Sequence, residues 1–285
     1  MLPCVRTDPC RLWLAFAFLC CLARPGLAGE PAVPRYEVKV YLSPEKVLTA
    51  DNEPTKPVLE LLGIQGGPTK LRMLFLDGKR RDLHAEGWDV RFRDIEGEKK
   101  LELTYKKRYP VQGDDIDAAL DAAARQGFDA GESDYEAEVE WGFSKKTLSF
   151  TRKKEVESPG GAALPRPGDA RRFAVDKLPG KLAHWLRDGW AKSVLIEAHV
   201  YGPVDGKRWT GKRDAIDDEI ALEVWQIRKS SSDEKEGLVK VSFKKKDRSK
   251  AQASRERLLE LLRGQEGWLL EDDVLKTERI LERYQ

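Results

Sequence analysis

Beyond residue 28 the chain has no cysteine. Cys4, Cys10, Cys20 and Cys21 all fall within the first 28 of 285 residues. The rest therefore has no disulfide framework, no thiolate-ligated zinc and no thiol nucleophile. Histidine is nearly as scarce: His84, His184 and His199 stand far apart, without metal-ligand spacing. A G-x-S-x-G elbow and a Gly-Lys-Ser/Thr phosphate loop are both missing, which speaks against an α/β-hydrolase or a P-loop enzyme. An excess of one charge is missing as well. The chain has 51 Lys and Arg against 49 Asp and Glu, and its first 28 residues hold three Arg and one Asp, leaving 48 of each sign. A balanced body argues against nucleic acid as a partner. The basic run Lys244–Lys250 has no interleaved aromatics and reads as a solvated strand end.

What the chain does have begins with an apolar run, Leu12–Ala23, preceded by Arg6 and Arg11 and followed by the small-residue stretch Gly26-Leu27-Ala28. This is the pattern of a secretory signal over residues 1–28, too short to span a bilayer comfortably. An uncleaved anchor, a transit peptide and a misassigned start are the alternatives. Cleavage predicts an extracytoplasmic protein with no membrane association.

Strand signals dominate the remainder of the chain. Period-2 alternation predicts strands near 35–42, 70–77, 88–94, 100–107, 135–141, 146–153, 193–201, 207–211, 219–228 and 238–245. Helices are expected at 56–63, at 114–126 with acids in its first turn and Gly127 past its end, at 178–190, and in the tail 249–285, broken by Gly264 and Gly267. The Gly/Pro-rich segment Ser158–Gly168 joins two halves of one sheet or two domains, the former preferred. Most of the tryptophans suit core packing; Trp209, among Lys207, Arg208 and Lys212, also suits a ligand mouth. In the tail, Val274, Leu281 and Tyr284 share a helical face suited to docking on the sheet.

The charges are ordered. Residues i, i+2 and i+4 of a strand share a face. Arg35, Glu37 and Lys39 thus oppose Tyr36, Val38 and Val40. Asp89, Arg91 and Arg93 oppose Val90 and Phe92, while Glu102, Thr104, Lys106 and Arg108 oppose Leu101, Leu103 and Tyr105. Glu136, Glu138 and Glu140 oppose Ala137 and Val139, and Lys240, Ser242 and Lys244 oppose Val241 and Phe243. Two architectures produce this pattern. One is an antiparallel sheet with a wet face. The other is a barrel turned inside out, its apolar faces outward under helices and its charges lining the interior, which then calls for a charged occupant.

The stretch Asp77–Lys106 resembles the CYTH family, the triphosphate tunnel metalloenzymes. Asp77, Leu83, Gly87, the Arg-x-Arg pair Arg91 and Arg93, and the Thr-x-Lys pair Thr104 and Lys106 follow that family's order and spacing. The opening strand is similar to its Glu-x-Glu-x-Lys motif with Arg35 in place of the first acid, and 219–228 resembles a later family strand with Glu223 retained. The resemblance covers most of 35–245, but only 77–106 is specific. It implies an α+β fold: a closed or nearly closed, antiparallel β-barrel over 35–248, with covering helices and a C-terminal helical segment over 249–285.

It implies, further, that Lys39, Arg91, Arg93, Lys106 and Arg208 grip a triphosphate or polyphosphate. Glu37, Glu136, Glu138 and Glu223 would hold Mg²⁺ or Mn²⁺ for its hydrolysis. The departures bear on turnover: Arg35, Lys240 and Ser242 stand where acids are expected, and a hard cation needs anionic oxygens. Binding is the safer expectation. An anion-binding module without catalysis and an exported β-rich interaction protein are the alternatives. Each residue also has a plainer reading: Arg91 and Arg93 paired with Glu102 across a hairpin, Glu136–Glu140 as a solvated face, Lys106 as a surface lysine, Asp77 as a turn cap.

Overall fold

The computed structural model describes residues 29–157, 163–230, 232–273 and 276–284. Residues 1–28, the first part of the Ser158–Gly168 segment, and Val274 lie outside the described residues.

In chain order the elements are β1 (Arg35–Leu42), α1 (Pro44–Val47), α2 (Lys56–Leu61), β2 (Thr69–Asp77), α3 (Asp82–Ala85), β3 (Trp88–Ile95), β4 (Leu101–Pro110), α4 (Ile116–Ala124), β5 (Glu136–Trp141), β6 (Lys146–Val156), α5 (Pro167–Asp176), α6 (Gly180–Ala183), α7 (Trp190–Ile196), β7 (His199–Arg213), β8 (Asp218–Arg228), β9 (Lys235–Lys245), α8 (Arg248–Arg263), β10 (Leu269–Leu270) and α9 (Lys276–Arg283). The strands pair in the order β1-β5-β6-β4-β3-β2-β7-β8-β9, and β9 returns to β1, closing a nine-stranded barrel. β1 and β5 run parallel; the other barrel pairs are antiparallel. β10 adds to one end of β1. Strands from both sides of the linker share this one sheet.

The wet-faced open sheet is thereby overturned. Val38, Val40, Val90, Phe92, Leu103, Leu222 and Val241 point outward into the main core, where Leu62, Leu120, Leu182, Leu195 and Leu258 of the surrounding helices and their ends cover them. The odd-numbered partners on β1, including Glu37 and Lys39, face inward. Closure also removes the sheet edge that an open barrel would expose.

A second apolar cluster sits inside the barrel. β2 departs from the charged-interior rule. Met73 lies opposite Arg93 and Phe75 opposite Arg91, so these apolar side chains share the inner face with the guanidiniums. They pack with Tyr41, Tyr201, Trp225 and Leu238, and with Ile280, Leu281 and Tyr284 of α9. The tail helix therefore docks on the inward faces of the strands. Arg283 anchors it, donating to the carbonyl of Arg228 at 2.8 Å and to Glu236 at 2.6 Å.

Two expectations need correction. Residues 178–190 do not form one helix, and 193–196 are not a strand. The chain makes α6, turns through Gly189 at φ 77°, and forms α7 instead. Val194 and Ile196 favour a strand locally, but Ala191 and Leu195, four apart, bury one helical face against the core, and burial wins. The remaining strand portions, 199–201 and 207–211, are parts of one 15-residue strand, β7.

Trp209 is no mouth residue; it is 4% exposed and belongs to the outer core. Asp77 caps its turn, accepting from the backbone N–H groups of Gly78, Leu83 and His84 at 2.7, 2.8 and 2.9 Å. His184 faces Asp188, and His199 reaches the carbonyl of Tyr284 at 3.3 Å.

Candidate functional site

The inward faces enclose a cavity of about 520 Å³. Its wall contains Lys39, Arg91, Arg93, Lys106 and Arg208 together with Glu37, Glu136, Glu138 and Glu223, so all nine residues singled out in the sequence meet on one lining. Strand register explains the convergence. Arg91 lies opposite Thr104, Arg93 opposite Glu102, Arg208 opposite Glu223, and Glu37 opposite both Glu140 and Lys244.

Eleven Lys and Arg side chains and five Glu line this space. Four of the carboxylates already face cations. Glu140 accepts from Lys39, and from Lys106 at 2.5 Å, with Arg108 at 3.9 Å. Glu138 pairs with Lys244. Lys240 bridges two carboxylates, at 3.4 Å from Glu37 and 3.3 Å from Glu223. Glu223 also meets Arg208 at 3.6 Å and Lys276 at 3.9 Å. Burial by itself would raise Glu37, Glu140 and Glu223. Lys240 first, then Lys39, overcomes it to bring Glu37 down to about 2. Lys106 and Lys39 hold Glu140 well below the carboxylate range, and Lys240 and Lys276 do the same for Glu223.

The cations are less well matched. Arg93 reaches Glu102 at 3.7 Å, as the hairpin reading expected, and Glu102 is shared with Lys153 at 3.0 Å. Arg93 is pushed down to about 10 by burial and then by Arg91 beside it. Arg91 itself makes no ion pair among the described residues. The Nε groups of Arg91, Arg93, Arg108 and Arg208 are buried without a hydrogen-bond partner. An unpartnered buried donor is costly, and all four belong to arginines that line this one cavity.

The donor set does not suit a divalent cation. Such an ion needs several anionic oxygens turned toward one point. Here Glu37, Glu138 and Glu223 are each engaged by an ammonium, and among the described residues no three His, Cys, Asp or Glu side chains gather into a cage.

Sequence reasoning left several lining residues out of the site. Arg108 and Glu140 carried the same signal as their neighbours, period-2 parity, and belong with them. Lys240 and Lys244 showed that parity too, and Lys240 also stood out as a departure from the family pattern. Lys276 and Thr277 had no signal, since they reach the cavity from α9, beyond the barrel strands. Lys276 sits 3.8 Å above the Trp225 ring, and burial, followed by the nearby Lys240, drives its pKa well down against the pull of Glu223.

No protein-family model matches the chain, and no curated protein matches it. Solved structures do resemble it. A Hippeastrum protein described as a candidate adenylyl cyclase with a dominant triphosphatase activity is 12% identical, over 85% of this chain and 92% of its own, at a TM-score of 0.47. A candidate adenylate cyclase from Bacillus halodurans is 12% identical over 89% and 98%, at 0.46. A Pyrococcus horikoshii protein is 13% identical over 86% and 99%, at 0.43.

Proposed function

We propose that this protein binds a triphosphate or short polyphosphate inside its barrel. The carrying observation is a cavity wall with six more cations than carboxylates, four of whose arginines keep an unpaired Nε. A linear polyphosphate offers many acceptor oxygens and several negative charges, which answers both the open donors and the charge surplus. Arg91, Arg93 and Arg208 supply planar, forked donors to phosphate oxygens. Lys39 and Lys106, held in place by Glu140, supply point charges. Hydrolysis is not part of this reading, because Glu37, Glu138, Glu140 and Glu223 are committed to lysines.

The test is thermal unfolding with tripolyphosphate, once with Mg²⁺ and once in chelator, alongside a phosphate-release assay. At one hundred times Kd, binding stabilises by about 2.7 kcal/mol, which for a domain of this size raises Tm by roughly 5–10 °C. No rise in either condition removes the proposal, and steady phosphate release replaces it with a hydrolase.

The same reading places the protein outside the cytosol, on the strength of Arg6, Arg11, the Leu12–Ala23 run and Gly26-Leu27-Ala28. N-terminal sequencing of the protein recovered from its native source should begin near Gly29; an intact Met1 would oppose cleavage.

A further inference from the structure

We infer that Lys240 is a built-in counter-cation standing where the family resemblance implies a divalent metal, so that the tunnel takes its polyphosphate free of metal. This rests on the anion-binding reading above and specifies the form of the ligand.

Strand register brings the three groups together. Lys240 lies directly opposite Glu223 on β8 and opposite Tyr41 on β1, and Tyr41 shares its inward face with Glu37. Its ammonium comes within 3.4 Å of one carboxylate and 3.3 Å of the other, bridging them across the barrel wall. Glu223 has little capacity left. Trp225 Nε1 donates to its Oε2 at 2.9 Å, Lys276 lies 3.9 Å from the same oxygen, and Arg208 lies 3.6 Å from Oε1. A divalent ion entering here would have to displace an ammonium tethered to the barrel and stand beside further cations. A hard cation also surrenders its waters reluctantly, and only to several carboxylates at once. The ammonium takes over one part of a metal's role, neutralisation, by cancelling the acid pair that would repel a polyanion.

The experiment is calorimetric titration of the protein with sodium tripolyphosphate in EDTA and again in excess Mg²⁺, with Mn²⁺ alone followed by electron paramagnetic resonance. Binding in EDTA at least as tight as in Mg²⁺, and no bound Mn²⁺, is expected, because free Mg²⁺ competes for the ligand. Lys240→Ala should weaken EDTA binding about tenfold or more, since it exposes two carboxylates to the anion, and should create a Mn²⁺ signal. Binding that requires metal, or Mn²⁺ bound by the unaltered protein, overturns the inference and leaves the anion site standing. Absence of binding in both arms removes the anion site itself, and the inference with it. The unaltered protein decides the matter even if Lys240→Ala does not fold.

Discussion

Arg91 is an unencumbered cation of the tunnel, with a buried Nε that lacks a partner and no ion pair among the described residues. Its removal should therefore leave the fold intact while costing a charge-assisted hydrogen bond to ligand, about 1.5–3 kcal/mol, or roughly 10- to 150-fold in Kd for tripolyphosphate. Calorimetry on Arg91→Ala beside an unchanged Tm of the free protein checks both halves. Glu140 is its opposite: 4% exposed and bonded to Lys39 and Lys106 at once. Glu140→Gln strands two inward ammonium groups, so stability should fall by about 3–5 kcal/mol. Tripolyphosphate should recover much of that loss by replacing the missing counter-charge. Urea unfolding with and without ligand measures this, and a variant as stable as the parent would show the pairs to be incidental.

At the scale of elements, α9 matters most. It fills the apolar part of the barrel with Ile280, Leu281 and Tyr284, and it delivers Lys276 to the cavity wall. Leu281→Ala, at a site 2% exposed, should cost roughly 2–5 kcal/mol. It should also weaken anion binding, because Lys276 loses its support. The chain leading into α9 is tied to the β5–β6 turn by Asp273, which accepts from the N–H groups of Phe143, Ser144 and Lys145 at 2.6, 2.7 and 2.7 Å. A Cβ at Gly142 would fall 2.0 Å from that carboxylate, so Gly142→Ala should loosen the same strap. Limited proteolysis near the tail, faster in both variants, reads this out.

The molecule as a whole is an ion-pair network inside an apolar shell. Burial opposes the charged form of Glu37 and of Glu102, but neighbouring Lys and Arg bring both down to about 2, and Glu140 and Glu223 are likewise lowered. A carboxyl whose folded-state pKa lies below its unfolded value contributes stability above the unfolded pKa, near 4.5, and loses it as pH falls toward 2. The unfolding free energy should accordingly be nearly level from neutral pH to about 5 and then decline steeply, as circular dichroism during urea titration would show. Polyphosphate affinity should fall with added salt, more so at the exposed rim than in the buried wall.

Alternation of apolar and ionic residues determined that β1, β3, β4, β5 and β9 each carry one charged face, and motif order from Asp77 to Lys106 pointed to a barrel. The charged faces are a local property, readable because side chains along a strand alternate strictly; the barrel was implied only by the resemblance. Three matters lay beyond the sequence. Whether the charged faces see water or one another depends on β9 meeting β1, strands far apart in the chain. The identity of each acid's partner depends on register, which placed Lys240 between Glu37 and Glu223. The route of the tail depends on which surface offers apolar area, and Met73, Phe75 and Trp225 offered it inside the barrel. Long-range closure brings these groups together, and no local period records it.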